Sequence, residues 1–244
     1  MKFFIFTFLL CNVLTKLQAQ QFHHTVRIEF EKTVYVKQVF KDLEPDWFER
    51  IKERLQETSL TRHEFIGDTS HSVFRPLGEP EYDSRSFYKG FADKNVVYNN
   101  YKTKKSVAQK PVFEETFLIE DSLLNIKWKL TADTRLIAGY ECRKAIGLID
   151  DSITVFAFYT DEILVSGGPE SIHGLPGMIL GLGMPRIHST WFATRVEVNG
   201  VNMTAVKPVS KGKKISRTEM IQAIEKALKD WGNYGRNLIW NFLI

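Results

Sequence analysis

The stretch GYECRKAIGLIDDSITVFAFY, residues 139–159, decides the fold class. It reads as two strands, Gly139 to Ile149 and Ile153 to Tyr159, separated by Asp150-Asp151-Ser152. Paired acids with a serine are turn chemistry, because short polar side chains bond the local backbone and tolerate left-handed dihedrals. Two strands across such a turn form an antiparallel hairpin. A sheet built from hairpins can leave one face to water.

Outward from this hairpin the same signals recur. Upstream, Glu115 to Ile119 and Ile126 to Leu130 read as strands, and Asn95 to Val107 is strand-like with one polar face. Arg62 to Phe74 reads as a strand broken by the run Arg75 to Pro80, and Thr25 to Phe40 alternates through Val26, Ile28, Phe30, Val34 and Val36. Downstream, Met178 to Leu182 and Ser189 to Val198 flank the densest turn chemistry in the chain, Gly167 to Gly177. Two segments change period. Pro45 opens a stripe of Trp47, Phe48, Ile51 and Leu55, and the capping box Ser216-Arg217-Thr218-Glu219 opens a stripe of Met220, Ile221, Ile224, Leu228 and Trp231 that Gly232 closes. The expected fold is a single α+β domain: a curved, half-barrel-like antiparallel sheet of seven to ten strands, with one helix after the first strand and one near the C-terminus.

Composition narrows the class. With 43% apolar and 25% charged residues the chain is globular rather than disordered. Residues 1–19 carry Lys2, the apolar run Phe3 to Leu10 and a small residue, Ala19, before Gln20-Gln21; this is a secretory signal peptide, which makes residues 20–244 the mature domain and the periplasm its expected address. Beyond it no run approaches the roughly 18 apolar residues that a membrane-spanning helix needs. The formal charge of +4 falls to about +2 without Lys2 and Lys16, too little to mark a nucleic-acid binder. Cys11 belongs to the leader, so Cys142 is the one mature cysteine and no internal disulfide is expected.

One motif is specific. Gly174-Leu175-Pro176-Gly177-Met178-Ile179, with Gly167-Gly168-Pro169 before it, resembles the hallmark of the GLPGLI family of exported proteins, and so do Ile137 to Ala145, Phe158 to Ile163 and Trp191-Phe192. Met178 stands where that family has leucine, and Gly181 where members often carry an acid. The resemblance implies an exported protein and no particular reaction; the leading expectation is a non-catalytic envelope protein that binds a hydrophobic small molecule or a partner protein.

From the residues themselves, Gly174 and Gly177 bracket Leu175-Pro176 as in a tight corner, or else as a binding lip. Tyr88, Phe91 and Tyr98, in the weakly periodic middle of the chain, are candidates for lining an apolar or sugar-like ligand site. An alternative joins Cys142, His173, Met178, Met184 and His188 into a soft-metal site suited to copper. Hydrolysis ranks last. Ser166 lacks the GxSxG setting, and the pairs Asp150-Asp151 and Asp161-Glu162 read as solvated turns. No cofactor is expected.

Overall fold

The computed structural model describes residues 22–43, 45–79, 88, 90, 92–231 and 239–243. The leader, Phe91 and Gly232 therefore lie outside the described residues. What is described is a mostly-β domain built on one open sheet of twelve strands, in the order β12-β6-β5-β4-β3-β2-β1-β11-β10-β9-β8-β7. The strands are β1 Thr25–Val34, β2 Ser59–Asp68, β3 His71–Pro76, β4 Val96–Asn100, β5 Lys105–Val112, β6 Glu115–Ser122, β7 Ile126–Ile137, β8 Tyr140–Ile149, β9 Ile153–Thr160, β10 Met178–Met184, β11 Ser189–Glu197 and β12 Lys213–Ile215. Two antiparallel meanders, β2 to β6 and β7 to β11, are joined by β1, which pairs with β2 on one side and β11 on the other. Only β12 runs parallel to its neighbour, β6.

Local chemistry explains where the strand count exceeds expectation. The segment Arg62 to Phe74 is a hairpin, because Asp68 Oδ1 accepts the backbone N–H groups of Ser70 (2.6 Å) and His71 (2.7 Å) and turns the chain. The strand-like run Asn95 to Val107 is a second hairpin, turned where Asn100 Oδ1 accepts Thr103 N–H (3.0 Å) and Lys104 takes φ 55°. Asp150 and Asp151 both take positive φ, 46° and 56°, the two-residue turn whose twist matches its flanking strands. The first strand stops at Val34. Two helices follow, α1 Val36–Leu43 and α2 Pro45–Ile51, and a third, α3 Arg217–Ala227, starts at Ser216, whose hydroxyl accepts Glu219 N–H while the Glu219 carboxylate accepts Ser216 N–H. A short helix, α4 Trp240–Leu243, lies beyond it.

The core sits on one face of the sheet. Along β1 every second residue from Val26 to Val34 is buried, and this inner face continues across β11, β10 and β9 through Trp191, Leu182, Ala157 and Val155. Residues 161–177, between β9 and β10, are laid over it: Ile163, Val165, Ile172 and Leu175 are sealed from solvent. A second cluster packs Val112, Phe117 and Ile119 against Met220, Ile224, Leu228 and Phe242, and a third gathers Val34, Val36, Phe40, Leu55 and Tyr88. Among the described residues no helix is long and apolar enough to cross a membrane.

Candidate functional site

The corner 174–177 is set by backbone contact. Ser166 Oγ donates to Leu175 carbonyl (2.8 Å) and accepts Gly174 N–H (3.2 Å), Met178 N–H donates to Ile163 carbonyl (3.0 Å), and Gly177 lies so close to β9 that a β-carbon there would sit 2.0 Å from the Thr160 carbonyl oxygen. The corner thereby delivers Met178, Ile179 and Leu180 into the core, each fully buried. Tyr88 belongs to the small core under α1, and Tyr98 lies on β4 with its ring stacked against His71 (6.2 Å), so neither packs with the corner.

The proposed copper ligands are also dispersed. Met178 and Met184 stand at opposite ends of β10, about 20 Å apart at the rise of a strand. His188 Nε2 is bonded to Asp42 (2.8 Å), and Cys142 is fully buried with its thiol pushed up to about 12 by burial. Among the described residues no three His, Cys, Asp or Glu side chains gather as a metal site would require.

Beneath the covering loop lies a seam of buried polar groups that sequence reasoning missed. Lys32 on β1 forms an ion pair with Asp93 (2.5 Å), both side chains at most 2% exposed, and its ammonium also lies over the Trp191 ring (5.2 Å). His63 on β2 bonds the Asp93 backbone carbonyl through Nε2 (3.1 Å), while burial pulls its pKa down to about 4 and keeps the ring neutral. Lys110 on β5 donates to the Phe242 carbonyl (2.7 Å). Glu170, on the covering loop with φ 54°, faces this seam; neither carboxylate oxygen makes a hydrogen bond, although Asn95 lies close enough to favour its ionised form.

Burial pushes Glu170 up to about 7 and pulls Lys110 down to about 8, whereas attraction between them holds both charged. Between the ordinary value of 4.5 and about 7 the native state holds a proton on Glu170 that the unfolded chain has lost, so this carboxyl withdraws stability as pH rises, fully above about 7. His63 acts oppositely, with stability rising from about pH 4 to 6.5. Glu170→Gln is therefore expected to gain melting temperature relative to the native protein as pH is raised from about 5 to about 7.5. A difference constant across that range would show the carboxyl to be ordinary.

None of these groups reaches the surface, so none can touch a macromolecular substrate. The accessible feature is a groove of about 670 Å³ between the β5–β6 hairpin, β12 and α3. Its floor is Val112, Phe117 and Ile224, and its rim carries Glu114, Glu115, Lys213 and Lys226, with Lys213 Nζ 3.9 Å from the Glu115 carboxylate. Phe113 stands at its mouth, 50% exposed, held at φ 55° by the two-residue turn, its ring centroid 6.3 Å from that of Phe242. An apolar floor, an exposed ring and a charged rim are features that ligand grooves share. The sequence signal was an aromatic residue directly before two acids, Phe113-Glu114-Glu115, at a strand junction.

Fold and site together define a large open-sheet β domain with a filled inner face and a lateral groove. The family profile described as N-glycanase peptide, N-terminal domain, matches residues 94–226, more than half of the chain. The chain belongs to that family. PNGF-II, solved in space groups P21 and C2, has a similar fold, with TM-scores of 0.52 and 0.51, 15% identity in each, and coverage of 86% and 89% of this chain. This chain spans only 34% and 33% of the PNGF-II chains, and no curated protein matches it.

The match corrects the resemblance to the GLPGLI family, and with it the hydrophobic-ligand envelope-protein function, and it lends no support to the copper and hydrolase alternatives. The hexapeptide misled for a physical reason. Gly174 and Gly177 are fixed by backbone geometry at a corner where a loop re-enters a sheet, a demand of the fold rather than of one family's function.

Proposed function

We propose that this chain is the carbohydrate-reading module of N-glycanase-type deglycosylation, and that the groove beside α3 holds the sugar of an N-glycosylated peptide. The observation that carries this is Phe113, half exposed at the mouth of a groove rimmed by Glu114, Glu115, Lys213 and Lys226, nearly all of it inside the stretch 94–226. A ring face stacks on the C–H face of a pyranose, and carboxylates accept from its hydroxyl groups. The titratable groups most displaced from their ordinary values, His63, Lys110, Glu170 and Cys142, are sealed from solvent, which favours recognition over bond cleavage within these residues. A curved, half-barrel-like sheet flanked by helices suits a module that presents one lateral groove, and a signal peptide over residues 1–19 suits export to the periplasm, or beyond it, as a domain that acts on an exported substrate would need.

Calorimetric titration of a glycopeptide, and of the same peptide freed of its glycan, tests the reading. The glycosylated form is expected to bind, and Phe113→Ala to weaken it about tenfold or more. Equal affinity for the two peptides would remove the sugar from the proposal.

A further inference from the structure

The seam and the groove are physically connected. Lys110 Nζ donates to the Phe242 carbonyl (2.7 Å), and the Phe242 ring packs against Phe113 at the groove mouth (6.3 Å). Glu170 from the covering loop and Arg217 from α3 act on the charge of Lys110, Asp121 from β6 lines the cavity beside it, and Lys32 and Asp93 act in turn on Glu170. A cavity of about 40 Å³, lined by Lys110, Ser171, Asp121 and Arg217, has room for a water beside the lysine.

We propose that Lys110 is a positioning residue for the groove, and that the charge state it shares with Glu170 sets how firmly Phe242, and through it Phe113, is held. The inference rests on the carbohydrate reading of the groove for its functional meaning, but not for its mechanics. A charged ammonium makes a charge-assisted bond to the Phe242 carbonyl, roughly twice as strong as a neutral amine would make. Burial pulls Lys110 down to about 8 and pushes Glu170 up to about 7, so the doubly charged pair is confined to a narrow range near neutral pH: acid puts a proton on Glu170 and base takes one from Lys110. The Glu170 carboxylate accepts no well-formed hydrogen bond, and Asn95 beside it favours the ionised form without fixing it. Because Glu170 lies on the same loop as the corner 174–177, the state of the pair also bears on how that loop is seated.

The protein carrying 4-fluorophenylalanine at position 113 reports the coupling directly by fluorine resonance. In the native background the resonance is expected to move between about pH 6 and about pH 9. Lys110→Met should leave it still across that range. Glu170→Gln should leave a single step displaced to lower pH, because the anion that holds Lys110 charged is gone. A motionless resonance in the native background overturns the proposal, as does an unchanged titration in Lys110→Met. If Lys110→Met does not fold, an unchanged profile in Glu170→Gln overturns it instead.

Glycopeptide affinity measured over the same range should change about fivefold or more. Binding whose affinity stays flat overturns the regulatory claim. Absence of binding at every pH overturns the sugar reading of the groove alone, and the resonance then decides the coupling by itself.

Discussion

Gly177→Ala is expected to cost about 3 kcal/mol or more and to leave little folded protein at physiological temperature. A β-carbon at that position would lie 2.0 Å from the Thr160 carbonyl oxygen and 3.0 Å from the Asp161 α-carbon, both backbone atoms of the adjoining chain segment. A side chain in the way could rotate, but these atoms cannot move without opening the junction of β9 and β10. That junction carries the bonds from Met178 N–H to Ile163 carbonyl and from Ile179 N–H to Gly167 carbonyl, and it seats Leu175, Met178 and Leu180 in the core. Gly174→Ala is the control. Gly174 needs φ 97°, which strains any other residue, yet its added carbon would meet only the Trp128 Nε1 at 3.3 Å, so about 1 kcal/mol is expected. Urea unfolding midpoints of the two variants should differ in this order. Equal midpoints would mean that the corner is not held against Thr160.

The antiparallel sheet was legible because its signals are local. Asp150-Asp151-Ser152 announces a turn by composition alone, and the flanking strands follow. Turns made by one side chain were not legible. Asp68 and Asn100 each close a hairpin with one carboxyl or amide oxygen, inside runs whose apolar pattern continues through the turn, so four strands read as two. The three-residue β12 has no pattern to read; it exists because β6 offers it a free edge.

The sites were less legible than the fold, for a different reason. A charged residue is read as facing water by its type, although Lys32 stands in the buried register of Val26 to Val34 and Lys110 in that of Ala108 and Val112. Their burial depends on partners far away in the chain. Asp93 lies 61 residues from Lys32, and Phe242 lies 132 residues from Lys110. The same distance hides the groove, whose walls at residues 112–117 and 223–227 meet only because β12 ties the β5–β6 hairpin to the start of α3. What the motif 174–177 offered was the reverse: a strong local signal whose meaning is structural.

Those long-range partners make a second large effect testable. Asp93→Asn is expected to destabilise the protein by about 3–5 kcal/mol, because it leaves the Lys32 ammonium, 2% exposed, without its buried counter-charge. The face of Trp191 at 5.2 Å offsets only a part of that cost. Lys32→Met removes the ammonium and should cost less when combined with Asp93→Asn than the two single costs added together, since the double variant leaves no unpaired charge of this pair behind. The His63 bond runs to the backbone carbonyl of residue 93 rather than to its side chain, so it persists in every variant and does not confuse the comparison. Unfolding free energies of the native protein, both single variants and the double variant close the cycle. A double variant whose cost equals the sum of the singles would mean that Lys32 and Asp93 are each held by other groups, and that the seam beneath the covering loop is not organised around their pairing.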